Sequence, residues 1–109
     1  MVLMETVGRK SGEVRVAPAA CYPYKDSVAV VASNNGGEQH PVWWLNLQAQ
    51  PQIYVRLGQE RFLVCAQELQ GEDREALWPD IVRINPRQKH YAKMTTRVLP
   101  VVYLRRVQA

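Results

Sequence analysis

The sequence is poor in the residues that usually announce chemistry: 109 residues hold two cysteines and two histidines. Cys21 and Cys65 are too few for a disulfide scaffold and lie at no metal-type spacing, so a reducing compartment is expected. With only His40 and His90 beside them, no protein-bound zinc or iron is expected either. The longest apolar stretches, residues 28–32 and 98–104, fall far short of the roughly 20 residues of a membrane span. No basic-then-apolar leader precedes them. Gly8 and Gly12 lack the spacing of a phosphate-binding P-loop, and no Gly-x-Gly-x-x-Gly follows a strand. Acids are missing from one end: residues 81–109 carry seven basic groups and none of the ten carboxylates. The overall charge of +4 is therefore a −3 segment followed by a +7 segment. Such a field favours an anionic partner (nucleic acid, an acidic membrane surface or a charged cofactor), the alternative being a solvated basic face.

What is present is an ordinary globular balance, 47% apolar and 22% charged, in a length that suits one domain spanning 1–109. Residues 2–6 read as a strand entering a glycine-bounded turn, Gly8-Arg9-Lys10-Ser11-Gly12. Residues 15–24 read as its partner, and Pro18 and Pro23 push that strand toward a sheet edge or a bulge because each lacks a ladder donor. Residues 28–32 have the length of a buried strand. Asn34-Asn35-Gly36-Gly37 is loop chemistry, after which Pro41 suits a helix start and Trp43, Trp44 and Leu47 fall at helical spacing. A second hairpin follows over 52–57 and 61–69. Residues 72–84 read as a helix with Leu77, Ile81 and Ile84 in one stripe, which Pro79 should kink or restart. A short helix through Tyr91 and a closing strand over 98–105 complete the chain. The expected class is mainly β with short helices, a small barrel of about six strands.

Three groupings offer chemistry. Arg9, Lys10 and Ser11, with Arg15 just beyond, present cations, a hydroxyl and backbone N–H groups to a phosphate or carboxylate, or else form a solvated hairpin tip. Residues 33–46 carry a glycine-rich loop into a helix whose first N–H groups suit an anion. There the adjacent Trp43 and Trp44 point about 100° apart, so one is expected in the core and the other against a flat ligand. Residues 87–96, with Lys89, His90, Tyr91 and Lys93, form either a lid or a basic surface loop.

The order of these motifs resembles one family. Gly8-Arg9-Lys10-Ser11-Gly12, Arg15, Pro18, Ala32-Ser33, Gly36-Gly37, Pro41-x-Trp43-x-x-Asn46-Leu47, Pro51, Leu77-Trp78, Tyr91 and Leu99-Pro100-Val101-Val102 together resemble the deazaflavin-dependent nitroreductases. The resemblance implies an FMN-binding split-barrel-like fold, a split β-barrel, that binds coenzyme F420, an 8-hydroxy-5-deazaflavin whose tail carries a phosphate and glutamates. It implies that Arg9, Lys10, Ser11 and Arg15 hold the tail. By the same carry-over Val16, Ala17, Pro18, Ala19 and Ala20 line the ring, with Val31, Ala32, Ser33 and Asn34, and Val42, Trp43, Trp44, Leu45 and Asn46, on its other sides. Ser33 and Tyr91 become the candidate catalytic hydroxyls. The acceptor pocket is Asn85, Gln88 and Tyr91, where the first two replace tyrosines of the nitroimidazole-activating member.

The implied reaction is hydride transfer from the reduced deazaflavin to a quinone, an activated alkene or a nitroaromatic. A hydride-carrying cofactor needs no protein nucleophile, which accounts for the absence of catalytic triads. FMN is the alternative cofactor, and a cofactor carrier without turnover the alternative role. Nucleic acid is not expected as a partner, because the basic segment lacks interleaved exposed aromatics. The expected setting is cytoplasmic, as monomer or homodimer, with membrane contact at most peripheral. Family members usually carry a segment ahead of the first strand, whereas Val2 already lies in it here.

Overall fold

The computed structural model describes residues 1–107. Seven antiparallel strands form one curled sheet: β1 (Val2–Val7), β2 (Val14–Ala19), β3 (Cys21–Tyr24), β4 (Ser27–Val31), β5 (Gln52–Leu57), β6 (Glu60–Leu69) and β7 (Val101–Arg106). Their order across the sheet is β2-β1-β5-β6-β7-β4-β3. The count is seven rather than about six because the strand expected over 15–24 breaks at Ala20. Its halves lie on opposite edges of the sheet, yet Ala19 and Cys21 are only two Cα steps apart, at most about 7.6 Å. The sheet must therefore curl until its edges meet at Ala20, which is a barrel closed at one point and split elsewhere. Pro18 and Pro23 sit on these two edge strands, where a missing N–H interrupts no ladder.

The apolar runs sit where both faces of the sheet are covered. Along β4 and β7, Val28, Val30, Val102 and Leu104 point into the barrel with Met4, Val55 and Trp44. Between them Ala29, Val31, Val101 and Tyr103 point outward, under a second cluster that includes Leu77 and Ile81. A strand buried on both faces has no polar positions to alternate with, hence the unbroken runs. On β5, covered on one face only, Ile53 and Val55 are buried and Tyr54 and Arg56 exposed.

Helix α1 (Val42–Ala49) plugs the barrel with Trp44 and Leu47. Helix α2 (Gly71–Ile84) and helix α3 (Arg87–Met94) cover the outer cluster. Pro79 does not interrupt α2; it lies on the exposed side, where the helix can open toward water at the missing hydrogen bond. Ile84 leaves the expected apolar stripe and is half exposed, since it ends the helix. No described helix is long and apolar enough to cross a membrane.

On the outer face Glu5 accepts two hydrogen bonds from Arg61, at 2.8 and 2.9 Å, with Arg56 Nε 3.6 Å away. The Arg61 bonds hold its carboxyl below the usual range. A depressed pKa contributes stability above the unfolded value that disappears as pH falls through the folded one. Glu5→Gln should thus cost up to about 1 kcal/mol at neutral pH. Urea unfolding near pH 3, below the ordinary carboxylate pKa, should show parent and variant converging.

Candidate active site

The β1–β2 turn is tied to α1. Gly8 N donates to Glu13 O and Gly12 N to Gly8 O, both at 2.8 Å, with Gly12 at φ +73°. This loop holds Arg9 and Lys10 at its tip, and Asn46, buried in α1, accepts from Arg9 N at 3.2 Å and Arg9 Nη1 at 3.4 Å. Cationic turn and tryptophan-bearing helix therefore share one side of the barrel. Between them lies a cleft of about 310 Å³ lined by Arg9, Lys10, Ser11, Arg15, Val42 and Asn46.

A larger cavity of about 510 Å³ continues the same two elements. Pro18 and Ala19 of β2 and Trp43 of α1 line it, with Ala20, Val31, Ser33 and Asn34. Asn85, Gln88 and Tyr91 close its far side. Cleft and cavity thus both draw on β2 and α1, with Arg15 and Val42 at the first and Pro18, Ala19 and Trp43 at the second. From Arg15 to Ala19 the strand advances about 13 Å.

Strand and helix periodicity leaves several of the expected residues outside the lining of the cleft and the cavity. Val16 pairs with Glu5 on the outer face, while Ala17 pairs with Met4 and turns toward the core. Ala32 and Trp44 are core residues, 0% and 5% exposed. Leu45 is half-buried, and neither it nor these four lines the cleft or the cavity. The two tryptophans divide as their 100° offset requires: Trp44 packs inward and Trp43 walls the cavity.

The Ser33–His40 segment is fixed by a residue that sequence reading passed over. Arg97 Nε donates to Gly37 O at 2.9 Å, Nη1 to Ala32 O at 3.1 Å, and Nη2 to Ser33 O at 2.8 Å. Nη1 also lies 3.1 Å from His40 Nδ1, which serves as an acceptor. Burial lowers the pKa of this guanidinium. From the other side α3 presses on the 3-10 turn at Asn34–Gly36. Gly36 has φ +79°, and a Cβ there would lie 3.0 Å from Met94 Cβ and 3.3 Å from Tyr91 Cα. Gly36→Ala should cost about 2 kcal/mol, combining a left-handed backbone with overpacking; a thermal melt matching the parent would contradict this. So held, Ser33 is 8% exposed and its hydroxyl has no partner among the described residues.

Tyr22 was likewise missed. Buried at 1% exposure, its hydroxyl accepts from Asn85 Nδ2 at 3.1 Å and Gln88 Nε2 at 2.9 Å. A separate cavity of about 520 Å³ at the opposite end of β4 is lined by Lys25, Asp26, Asp73, Tyr103, Arg105 and Arg106 among others. There burial and the hydrogen bond to Asp26 push the Tyr103 hydroxyl up to about 12. Its mixed charges make it a poorer seat for a polyanion than the cleft.

A family model described as F420H(2)-dependent quinone reductase matches residues 1–106. The chain belongs to that family. Membership makes it an oxidoreductase of the kind that uses reduced coenzyme F420. An F420H(2)-dependent quinone reductase of Mycobacterium tuberculosis (strain ATCC 25618 / H37Rv) is 32% identical over 108 residues, covering 96% of this chain and 72% of that protein. Among solved structures, an F420-H2 dependent reductase (FDR-A) is similar at a TM-score of 0.83 and 36% identity, covering 93% of this chain and 90% of the other. A domain-swapped dimer is similar at 0.84 and 36%, covering 93% and 76%.

Proposed function

We propose that this F420-dependent quinone reductase, acting as one split-barrel domain, seats the cofactor along the groove between β2 and α1. The observation that supports this most is that the cleft at the cationic turn and the aromatic-walled cavity both draw on β2 and α1. The residues present fit the group. Arg9, Lys10 and Arg15 face an anionic tail at one end, against a single carboxylate at Glu13, 3.7 Å from Arg15. Trp43, Pro18 and Ala19 offer a flat, apolar wall at the other.

When bound, reduced F420 supplies a hydride to the acceptor. The protein's share is orientation, water exclusion and a proton source. Trp43 would wall the ring, with Gln88 and Tyr91 of α3 on the acceptor side of the cavity. Ser33 Oγ and Tyr91 Oη hold the candidate protons; each would donate to the oxygen that gains charge as the acceptor is reduced. Acceptors beyond quinones, nitroaromatics among them, would enter beside Asn85, Gln88 and Tyr91. The free, half-buried thiols of Cys21 and Cys65 suit a cytoplasmic setting. A second copy of the chain is the partner suggested by the similar domain-swapped dimer.

Fluorescence titration of the purified protein with F420 and FMN side by side, then turnover with menadione and a nitroimidazole, tests the reading. F420 should bind and menadione should be reduced. Tight FMN with no F420 binding would replace the cofactor, and tight F420 binding without turnover of any acceptor would leave a carrier.

A further inference from the structure

The separate cavity at the far end of β4 has a rigid, apolar floor. Leu69 and Tyr103 there are 3% and 5% exposed, and the rings of Tyr24 and Tyr103 meet edge to face with centroids 4.9 Å apart. The β3–β4 turn forms one wall and is fixed at two atoms. Tyr103 Oη donates to Asp26 Oδ1, and Arg106 Nε donates to Asp26 O at 2.8 Å. Arg106 is itself held by the Glu60 carboxylate at 2.9 and 3.0 Å.

The other charges around this floor are unspent. Lys25 and Asp26 of the turn, Asp73 in the first turn of α2 and Arg105 of β7 all line the cavity. Elsewhere on the surface, arginines lie against Glu5, Glu13 and Asp80. Here two cations and two carboxylates share one concavity of about 520 Å³, and no ion pair within 4.0 Å forms between them. Lys25 stands at φ +51°, a left-handed backbone that favours glycine. Its Nζ lies 5.5 and 5.9 Å from the Tyr24 and Tyr103 ring centroids, near the outer limit of cation–π contact at about 6 Å. A cation kept at a strained position, over the floor and paired with no acid, suits an anion that the chain does not supply.

We infer that this cavity is a second binding site, for a small zwitterion with an apolar or aromatic side group, such as a free amino acid. The ligand carboxylate takes Lys25 and Arg105. The ammonium takes Asp73 and the free Oδ2 of Asp26, and the side group lies against Tyr24 and Leu69. With Arg106 spent on Glu60, two charges of each sign remain, so a ligand of single charge is attracted by one pair and repelled by the other. The cavity shares no lining residue with the cleft or with the cavity at Trp43, so the site stands apart from cofactor binding.

NMR titration of the full chain with L-phenylalanine, phenylpropanoate and phenethylamine tests the site. Phenylalanine should bind with a Kd on the order of 1 mM, shifting Tyr24, Lys25 and Tyr103 rather than Trp43. Each analogue, which keeps only one of the two charges, should bind about tenfold more weakly. Asp26→Asn keeps the oxygen to which Tyr103 donates, and Lys25→Gly suits the left-handed backbone, so both variants should fold. Each should weaken phenylalanine binding about tenfold and leave F420 affinity and menadione turnover at the parent's values. Equal affinity for all three probes would reduce the cavity to an apolar depression and overturn the inference. So would shifts confined to Trp43 and its neighbours, no shift at about tenfold above that Kd, or folded variants that bind phenylalanine like the parent.

Discussion

Replacing Arg97 by methionine should lower stability by about 3 kcal/mol and the melting temperature by roughly 12–24 °C, on the scaling for a domain of about 100 residues. The guanidinium holds three backbone carbonyls and one imidazole nitrogen, all on the 32–40 segment. Methionine matches much of the side chain's length but donates nothing, so several partly buried acceptors lose their partner together. Arg97→Lys should recover little, because one ammonium cannot span three carbonyls that a planar fork reaches at once. The affinity for F420 should fall as well, since Ser33, Asn34 and Asn35 line the larger cavity and depend on this anchor. Differential scanning calorimetry and a cofactor titration on the same preparations check both effects. A methionine variant melting within a few degrees of the parent would show that the segment holds its shape without the arginine.

Arg97 also marks where sequence reading ended. The unbroken runs announce strands covered on both faces over 28–31 and 101–104, although the second begins at Val101 and leaves Val98 exposed outside it, and Pro18 and Pro23 announce edges, because these are properties of the residues themselves. The cationic turn and the split roles of Trp43 and Trp44 follow from local geometry for the same reason. Arg97 instead acts on backbone carbonyls 60–65 positions away, and a carbonyl leaves no trace in the sequence. The absence of acids after residue 80 was the available signal: it denied Arg97 a nearby carboxylate in its own segment. Tyr22 was hidden similarly, since its partners Asn85 and Gln88 are 63 and 66 positions away. The break at Ala20 was illegible because residues on both sides favour extended backbone. Only the path of the whole sheet requires the strand to change edges there.

The cationic turn carries the other large expectation. Arg9→Ala with Lys10→Ala should weaken F420 binding by about 3 kcal/mol, on the order of 100-fold, since each charge-assisted contact to an anionic tail contributes ~1.5–3 kcal/mol and both side chains lie exposed to screening. The turn itself should survive, because its hydrogen bonds run between Gly8, Gly12 and Glu13 backbone groups, and Arg9 N keeps its bond to Asn46. Stability should therefore change little, and the loss can be assigned to the missing charges. Two controls sharpen the assignment. Added salt should weaken the parent more than the variant, since fewer ion contacts remain to screen. A deazaflavin riboside lacking the phosphate and glutamates should bind both proteins alike, because in the proposed placement it would reach Trp43 and Pro18 but not the turn. Equal F420 affinity of parent and variant at physiological salt would remove the tail from this end of the groove. The three cations would then be no more than a solvated hairpin tip.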